Sequence, residues 1–416
     1  MIALASFARP AAAAPEESNA PPTPTGMRAL AKMAFTGTDL APMRSTLIQR
    51  MVMEPENAAV LMDLATIEQL FGNREDALQL QADALQLSRI FRRPPDRATG
   101  APLRLLALMT QGDFMANTPL EFLLEGSDVR LDMLYVRPGE PLPSEIPEHD
   151  LAFVAIGESD ESQPLLAEVE TLIRAWPKPV LNAPSRIARL SRDGAWALLK
   201  DAPGIAMPRT LRLDRAGLAQ IGAGAMPIEG GAFPLIVRPI GSHAGEGLTK
   251  LDEPAAVAAY LEGHPEREFY VARFIDYSSA DGRFRKYRIA LIGGRPYACH
   301  MGVSDHWMIH YLNAGMHESA EKRAEEARFM QGFDGDFARR HEAAFRALAE
   351  RVGLDYFGID CGETRSGELL IFETDVAMIV HSMDSAELFP YKKPQMRKVF
   401  DAFRALLAKA KDRKPG

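Results

Sequence analysis

Apolar positions recur at helical spacing over residues 28–50 and 57–71, and again over 74–91 through Ala77, Leu78, Leu80, Ala84, Leu85 and Leu87. The pattern predicts a helical region. Ahead of it, Pro10, Pro15, Pro21, Pro22 and Pro24 lie among Ala, Ser and Thr. Such a segment cannot supply a core, so residues 1–26 read as a disordered leader. Arg92, Arg93, Pro94 and Pro95 break the third helix and read as a linker. From Leu103 the period changes. Apolar runs at 103–109, 131–136, 151–156 and 179–181 alternate with helical stretches near 119–124 and 164–174. Strands alternating with helices predict a small parallel α/β sheet within 98–185.

Residues 186–416 mix hairpins with helices, an α+β pattern. A helix is expected at 191–200. A strand at 235–237 runs into a glycine-rich loop, followed by a helix at 254–261 and a strand at 269–275. Two hairpins follow. Runs 287–292 and 296–301 flank Gly293–Gly294, a pair that tolerates the positive φ of a tight turn. Runs 356–361 and 368–373 flank a turn at Ser366–Gly367. Polar helices are expected at 318–331 and 337–352 between the hairpins, and a last helix at 395–411.

A chain of 416 residues has room for two or three domains. With 47% hydrophobic and 25% charged residues it is neither disordered, collagenous nor a disulfide scaffold. Its net charge of −8 argues against a general nucleic-acid binder. Cys299 and Cys361 make neither a disulfide framework nor, by themselves, a zinc site. Sparse cysteine fits a reducing compartment, so a cytoplasmic location is expected. No apolar run approaches the roughly 18 residues of a membrane span. The apolar stretch 2–7 is short and lacks a preceding charged region, which argues against a secretory signal.

The chemistry begins at the last hairpin. Glu373 and Asp375 share a strand face, since side chains alternate. A register that turns Cys361 and Leu369 the same way brings Asp360 beside Glu373. Three converging carboxylates repel one another and call for a divalent cation. Oxygen-only ligands suit magnesium. The competing reading is three solvated strand-end acids. Upstream, Arg238 opens a loop carrying Gly241, Ser242, Gly245 and Gly247. Its glycines let backbone N–H groups cradle anionic oxygen. On its own such a loop is a weak signal. It matches neither the Walker A nor the dinucleotide-binding fingerprint.

The order of these features over about 100–410 resembles the ATP-grasp superfamily of carboxylate–amine ligases, which includes D-alanine–D-alanine ligase, glutathione synthetase and the ribosomal-protein glutamate ligase type. The resemblance implies a small α/β domain at 98–185 followed by two α+β lobes, 186–276 and 277–416, that grip ATP between them. It implies that Asp360, in Phe357–Gly358–Ile359–Asp360, and Glu373–Thr374–Asp375 hold magnesium, with manganese as the alternative. Asp375 stands where the family has Asn. Arg192 and Arg238 stand where the family has phosphate-contacting lysines, and arginine is not equivalent to lysine. Residues 271–276 resemble the interlobe hinge, where the backbone of Arg273, Phe274 and Ile275 would read adenine and Asp276 would hold the ribose. Arg288 matches the arginine facing the reacting phosphate, and Arg238 is its catalytic partner. Asn313–Ala314–Gly315 resembles a segment of the phosphate and substrate loop. The implied reaction joins a carboxylate to an amine through an acylphosphate, on an amino acid or peptide. A small-molecule kinase and a nucleotide-responsive scaffold are the alternatives.

The helical region 27–97 resembles a single tetratricopeptide unit through Leu61–Met62–Asp63–Leu64–Ala65, Leu70–Phe71–Gly72–Asn73, Ala77 and Ala84. A plain helical hairpin is the competing reading. Either would serve as a packing or partner-binding appendage, presenting a peptide or protein. Relatives commonly form dimers or tetramers, and a homodimer is admitted here. His300, His306, His310 and His317 cluster, with His306 and His310 spaced to meet on a helix. A zinc site there is the weaker reading, because HExxH is absent. Trp307 and Tyr311 would wall a substrate pocket or merely pack. His381 and Asp384 fall where relatives shape an acceptor pocket. Tyr391, Lys392 and Lys393 would meet a substrate carboxylate or lie at the surface.

Overall fold

The computed structural model describes residues 20–98, 100–228, 233–242 and 245–414. Most of the expected leader, and His243 and Ala244 of the glycine-rich loop, lie outside the described residues. The fold is a mixed α/β arrangement of three sheets. No helix among the described residues is long and apolar enough to cross a membrane.

The N-terminal region is helical, as its periodicity implies. The stretch 28–50 is two helices, Met27–Phe35 and Ala41–Met53, rather than one. Gly37 at φ 81° ends the first, and Pro42 sits in the opening turn of the second. Helices Ala58–Leu70 and Arg74–Leu87 form a hairpin turned at Gly72, φ 82°. The tetratricopeptide likeness rests on this single hairpin. One face closes a small core with Leu30, Leu47, Val60, Leu64 and Ile67. The other, through Leu61, Met62, Ala84 and Leu85, joins the core of the following sheet. The region is therefore packed into the molecule rather than appended to it.

That sheet has the strand order Ile90–Arg93, Val129–Tyr135, Leu103–Met109, Leu151–Val154, Val180–Leu181. All neighbours run parallel except the first pair. Arg92 and Arg93 are thus an antiparallel edge strand and not a linker. Phe91 is fully buried, and Arg92 donates to Asp132 at 2.6 Å. The proline pair follows the strand instead of ending a helix.

A four-stranded antiparallel sheet comes next, in the order Thr210–Asp214, Glu268–Arg273, Leu235–Pro239, Thr249–Leu251. Helices Arg215–Gly222 and Ala256–Gly263 close its core through Leu218, Ile221, Val257 and Tyr260. The glycine-rich segment is the hairpin connection between Leu235–Pro239 and Thr249–Leu251.

The third sheet has the order Arg295–Ser304, Phe284–Ile292, Tyr356–Glu363, Leu369–Asp375, Ile205–Ala206. Gly293 and Gly294 turn the first hairpin at φ 58° and 80°, the doubly positive pair a tight two-residue turn requires. Helices Ala320–Gly332, Glu342–Val352 and Lys392–Ala410 complete this part of the molecule. Phe403 of the last helix stacks edge-on against Phe153 of the parallel sheet and Tyr356 of the third, so the C-terminal helix joins the two sheets in one core.

Candidate active site

Antiparallel register sets one row of side chains across four adjacent strands of the third sheet. His300 lies opposite Arg288, Arg288 opposite Asp360, and Asp360 opposite Glu373. The pairing slips next to this row, between Arg288 and Ile289 and between Asp360 and Cys361. Such irregularities re-aim side chains beside functional sites. All four residues line a cavity of about 580 Å³ that the four-stranded sheet also walls, through Ile236, Arg238, Tyr270 and Ala272. A cavity of this size suits a bound cofactor or substrate.

Charge pairing is dense along the row. Arg288 donates to both Asp360 oxygens, at 2.8 and 3.0 Å, and to the Ile379 carbonyl at 3.1 Å. Lys286 reaches Asp360 at 2.8 Å. Burial alone would raise the Asp360 carboxyl, but Arg288 and Lys286 hold it well below the usual carboxylate range. Arg192 opens the helix Arg192–Leu199, whose N-cap is Ser191. It donates to the Phe372 carbonyl at 2.9 Å and to Glu373 at 2.5 Å. Burial pushes Glu373 up, but Arg192, Arg238 and Lys286 together outweigh it, so that carboxyl also stays low. Arg238 is folded onto its own loop, donating to the Ser242 hydroxyl at 3.0 Å and to the Ser242 carbonyl. Burial, then Arg192, lowers it to about 10. His300 is neutral, because burial and then Arg288 hold it well below its usual value.

Among the described residues the walls carry five basic side chains, Arg192, Arg238, Arg273, Lys286 and Arg288, against Asp360, Glu373 and Asp384. Five less three leaves a net positive cavity in a chain of net charge −8. A cleft of one sign concentrates ligands of the other. Its remaining surface is largely apolar. Phe274 meets Trp307 edge-on at 5.8 Å, and Lys250 lies 4.7 Å from the Phe274 ring centroid.

Of the residues singled out from sequence, Arg192, Arg238, Gly245, Arg273, Phe274, Ile275, Arg288, Asp360 and Glu373 meet at this cavity. Gly241, Ser242, Gly247, Asp276, Asn313 and Asp375 are not among its lining residues. Asp276 accepts from the Ser278 N–H at 2.9 Å and pairs with Arg365 at 2.8 Å. Asn313 accepts from the His310 N–H at 3.0 Å and so closes its own turn. Asp375 lies opposite Gly358, and its carboxylate accepts the Ala377 N–H at 2.8 Å. Burial, then Glu373, raises it to about 7. Glu373 thus acts on Asp375 electrostatically, but Asp375 does not line the cavity, and no group of three or more His, Cys, Asp or Glu among the described residues is gathered as a metal site. The juxtaposed pair is Asp360 and Glu373.

The histidine expectation is corrected too. His306 precedes an irregular stretch and His310 a short 3-10 turn, Tyr311–Asn313, so they share no helix face. Lys392 is neither at the surface nor open to a substrate. It is buried, 3.2 Å from Asp384 and 3.4 Å from Glu326. Lys286 received no role from sequence, although its spacing of two from Arg288 on a strand was a usable signal. Phe35 and Met115 line the cavity from far upstream, and no local pattern announced them.

No protein-family model and no curated protein matches the chain. Among solved structures it is similar to a RimK-domain ATP-grasp protein from Sphaerobacter thermophilus, at 15% identity and TM-score 0.42, over 73% of this chain and 99% of that one. It is similar to the VanG D-Ala:D-Ser ligase from Enterococcus faecalis, at 15% identity and TM-score 0.45, over 74% and 99%. A D-alanine–D-alanine ligase from Bacillus anthracis, complexed with ATP, aligns at 13% identity and TM-score 0.42, over 74% and 98%.

Proposed function

We propose that the chain is an ATP-dependent carboxylate–amine ligase of the ATP-grasp type. The row His300–Arg288–Asp360–Glu373 in a net positive cavity walled by two sheets carries the reading. Apolar walls at Ile236, Ala272 and Leu370 would take a flat base, with the backbone at Arg273–Ile275 reading its edge. Arg192, Arg238, Lys286 and Arg288 would take the phosphates, for which guanidinium forks are well suited. Asp360 and Glu373 fit a hard divalent cation by their chemistry, two oxygen donors opposite one another on paired strands. Magnesium or manganese there would neutralise phosphate charge when bound.

A carboxylate repels nucleophiles. Phosphoryl transfer from ATP converts it to an acylphosphate, an amine then attacks the carbonyl carbon, and phosphate leaves with the C–O electrons. The protein's share of such chemistry is positioning and electrostatic stabilisation. Arg288 is built for it. Three of its five N–H donors are spent on Asp360 and the Ile379 carbonyl, which fixes the guanidinium plane. The other two remain to steady the transferring group and the tetrahedral oxyanion. The glycine loop beside Arg238 would close over the phosphates and exclude water.

The test is ADP release with ATP and magnesium against pooled amino acids and short peptides, with Glu373→Ala as control. Amine-dependent release that falls at least about a hundredfold in the variant is expected. ADP formed without dependence on any amine would point to a kinase. Tight ATP binding with no turnover would point to a scaffold, and either result overturns the ligase reading.

A further inference from the structure

The cavity continues past Arg288. That guanidinium bonds the carbonyl of Ile379, two residues before His381, and His381 lines the same cavity. The ring facing His381 comes from the N-terminal helical region. Phe35, the last residue of helix Met27–Phe35, lies 5.4 Å from His381 between ring centroids, tilted at 59°. Phe35 is 36% exposed and Leu312 66% exposed, and both line the cavity.

Neither ring is loosely placed. The Glu121 carboxylate accepts the N–H groups of Met27 and Arg28 at 3.1 and 3.3 Å, satisfying the start of the Phe35 helix from the parallel sheet's domain. Asp63 accepts those of Thr25 and Gly26 at 2.8 and 3.1 Å. Gly26 is at φ 91°, and a Cβ there would stand 2.5 Å from a Glu121 oxygen, so the approach is available to glycine alone. On the other side, the Ser382 hydroxyl donates to Glu125 at 2.7 Å, and Asp384 pairs with the buried Lys392.

We infer that Phe35 is a specificity-determining wall of the acceptor pocket, and that the amine substrate carries an apolar side chain seated against Phe35, Met115, Leu312 and Met383. This rests on the ligase reading. The nearby polar groups agree with it. His381 accepts the Met383 N–H through Nδ1 at 3.1 Å, and burial lowers its pKa to about 4, so the ring presents no charge. His310 is also lowered by burial. Asp384 already faces a cation. The helical region is then part of the active site, which explains why it is packed into the main core.

The experiment compares wild type, Phe35→Ala and Phe35→Leu. ADP release is measured with single amino acids and dipeptides bearing apolar, polar, acidic and basic side chains, and the Kd for ATP by calorimetry. Wild type is expected to prefer apolar acceptors. Phe35→Ala should raise their KM about tenfold or more, leave the ATP Kd within twofold and narrow the margin over polar acceptors. Phe35→Leu should restore most of the preference, which separates side-chain contact from misfolding. Turnover with a charged or polar acceptor preferred, or an unchanged acceptor KM in Phe35→Ala, overturns the inference and leaves the ligase reading standing. No acceptor-dependent turnover in wild type overturns the ligase reading and the inference with it.

Discussion

At the residue scale the site is a problem of charge held in place. Arg288 is held, half-buried, between Asp360 and the Ile379 carbonyl, and Asp360 in turn is shared with Lys286. Such a geometry depends on a planar fork. A lysine at this position keeps the charge but cannot bond two carboxylate oxygens and a carbonyl in one plane. Arg288→Lys is expected to lower kcat for ADP release about a hundredfold while the ATP Kd moves only a few fold, because orientation matters most as charge develops. Steady-state kinetics beside an ATP titration measure the two effects, and an unchanged kcat would remove Arg288 from the chemistry. The sequence allowed Asp360 to stand beside Glu373, but their pairing depends on the register slip between Asp360 and Cys361, which the hairpin's turn and alternation do not contain. Lys286 was visible but unassigned. Asp375 shares a strand face with Glu373, which raises its carboxyl, yet it does not line the cavity.

Among the elements, the glycine-rich hairpin is the most constrained by local sterics. Gly247 sits at φ 63°, and a Cβ there would lie 2.6 Å from Cδ of Pro239. Gly241 has a similar φ of 78° but, among the described residues, no heavy atom within 4 Å of its missing Cβ. Alanine at Gly241 therefore meets backbone strain alone, about 1 kcal/mol, whereas at Gly247 it meets strain and a clash in the ring that opens the loop. Gly247→Ala should weaken ATP binding several fold more than Gly241→Ala, measured by direct titration. Equal effects would mean that the close approach to Pro239 has no bearing on the loop. The glycine pattern itself was plain in the sequence. Which glycine is packed and which is free follows from the return of the chain over Pro239, a contact that no spacing rule contains.

Across the whole molecule, the C-terminal helix ties the parallel sheet to the third sheet. Beside its aromatic contacts, Arg404 donates to both oxygens of Asp128, at 2.8 and 2.7 Å, just ahead of a strand of the parallel sheet. The bond to Arg404 holds the Asp128 carboxyl below its ordinary range. A depressed carboxyl stabilises the fold above the unfolded value of about 3.9, and that contribution is lost as pH falls through the folded value. Asp128→Asn should thus lower the apparent Tm by about 1–2 °C at pH 7, a small effect because the pair is partly exposed. The gap should narrow as pH falls below about 3.9 and close once it passes the folded value. A gap that persists undiminished there would show that shape, not charge, makes the contact. Melting curves of both proteins across that range decide it.

The sequence by itself determined most of the helices, the alternating strands of the parallel sheet and the Gly293–Gly294 turn. Each depends on side-chain period and on turn residues a few positions apart, and a one-residue slip would put every buried side chain on the wrong face. Tertiary structure alone decided the rest. Arg92 and Arg93 became an edge strand because Asp132 and a strand partner waited beside them. Arg192 reached Glu373, and Arg238 the same cavity, only when the two sheets came together, and Phe35 reached His381 only when the helical region docked against the parallel sheet. These contacts join residues distant in the chain, and burial of apolar faces, rather than any local spacing, brings them together.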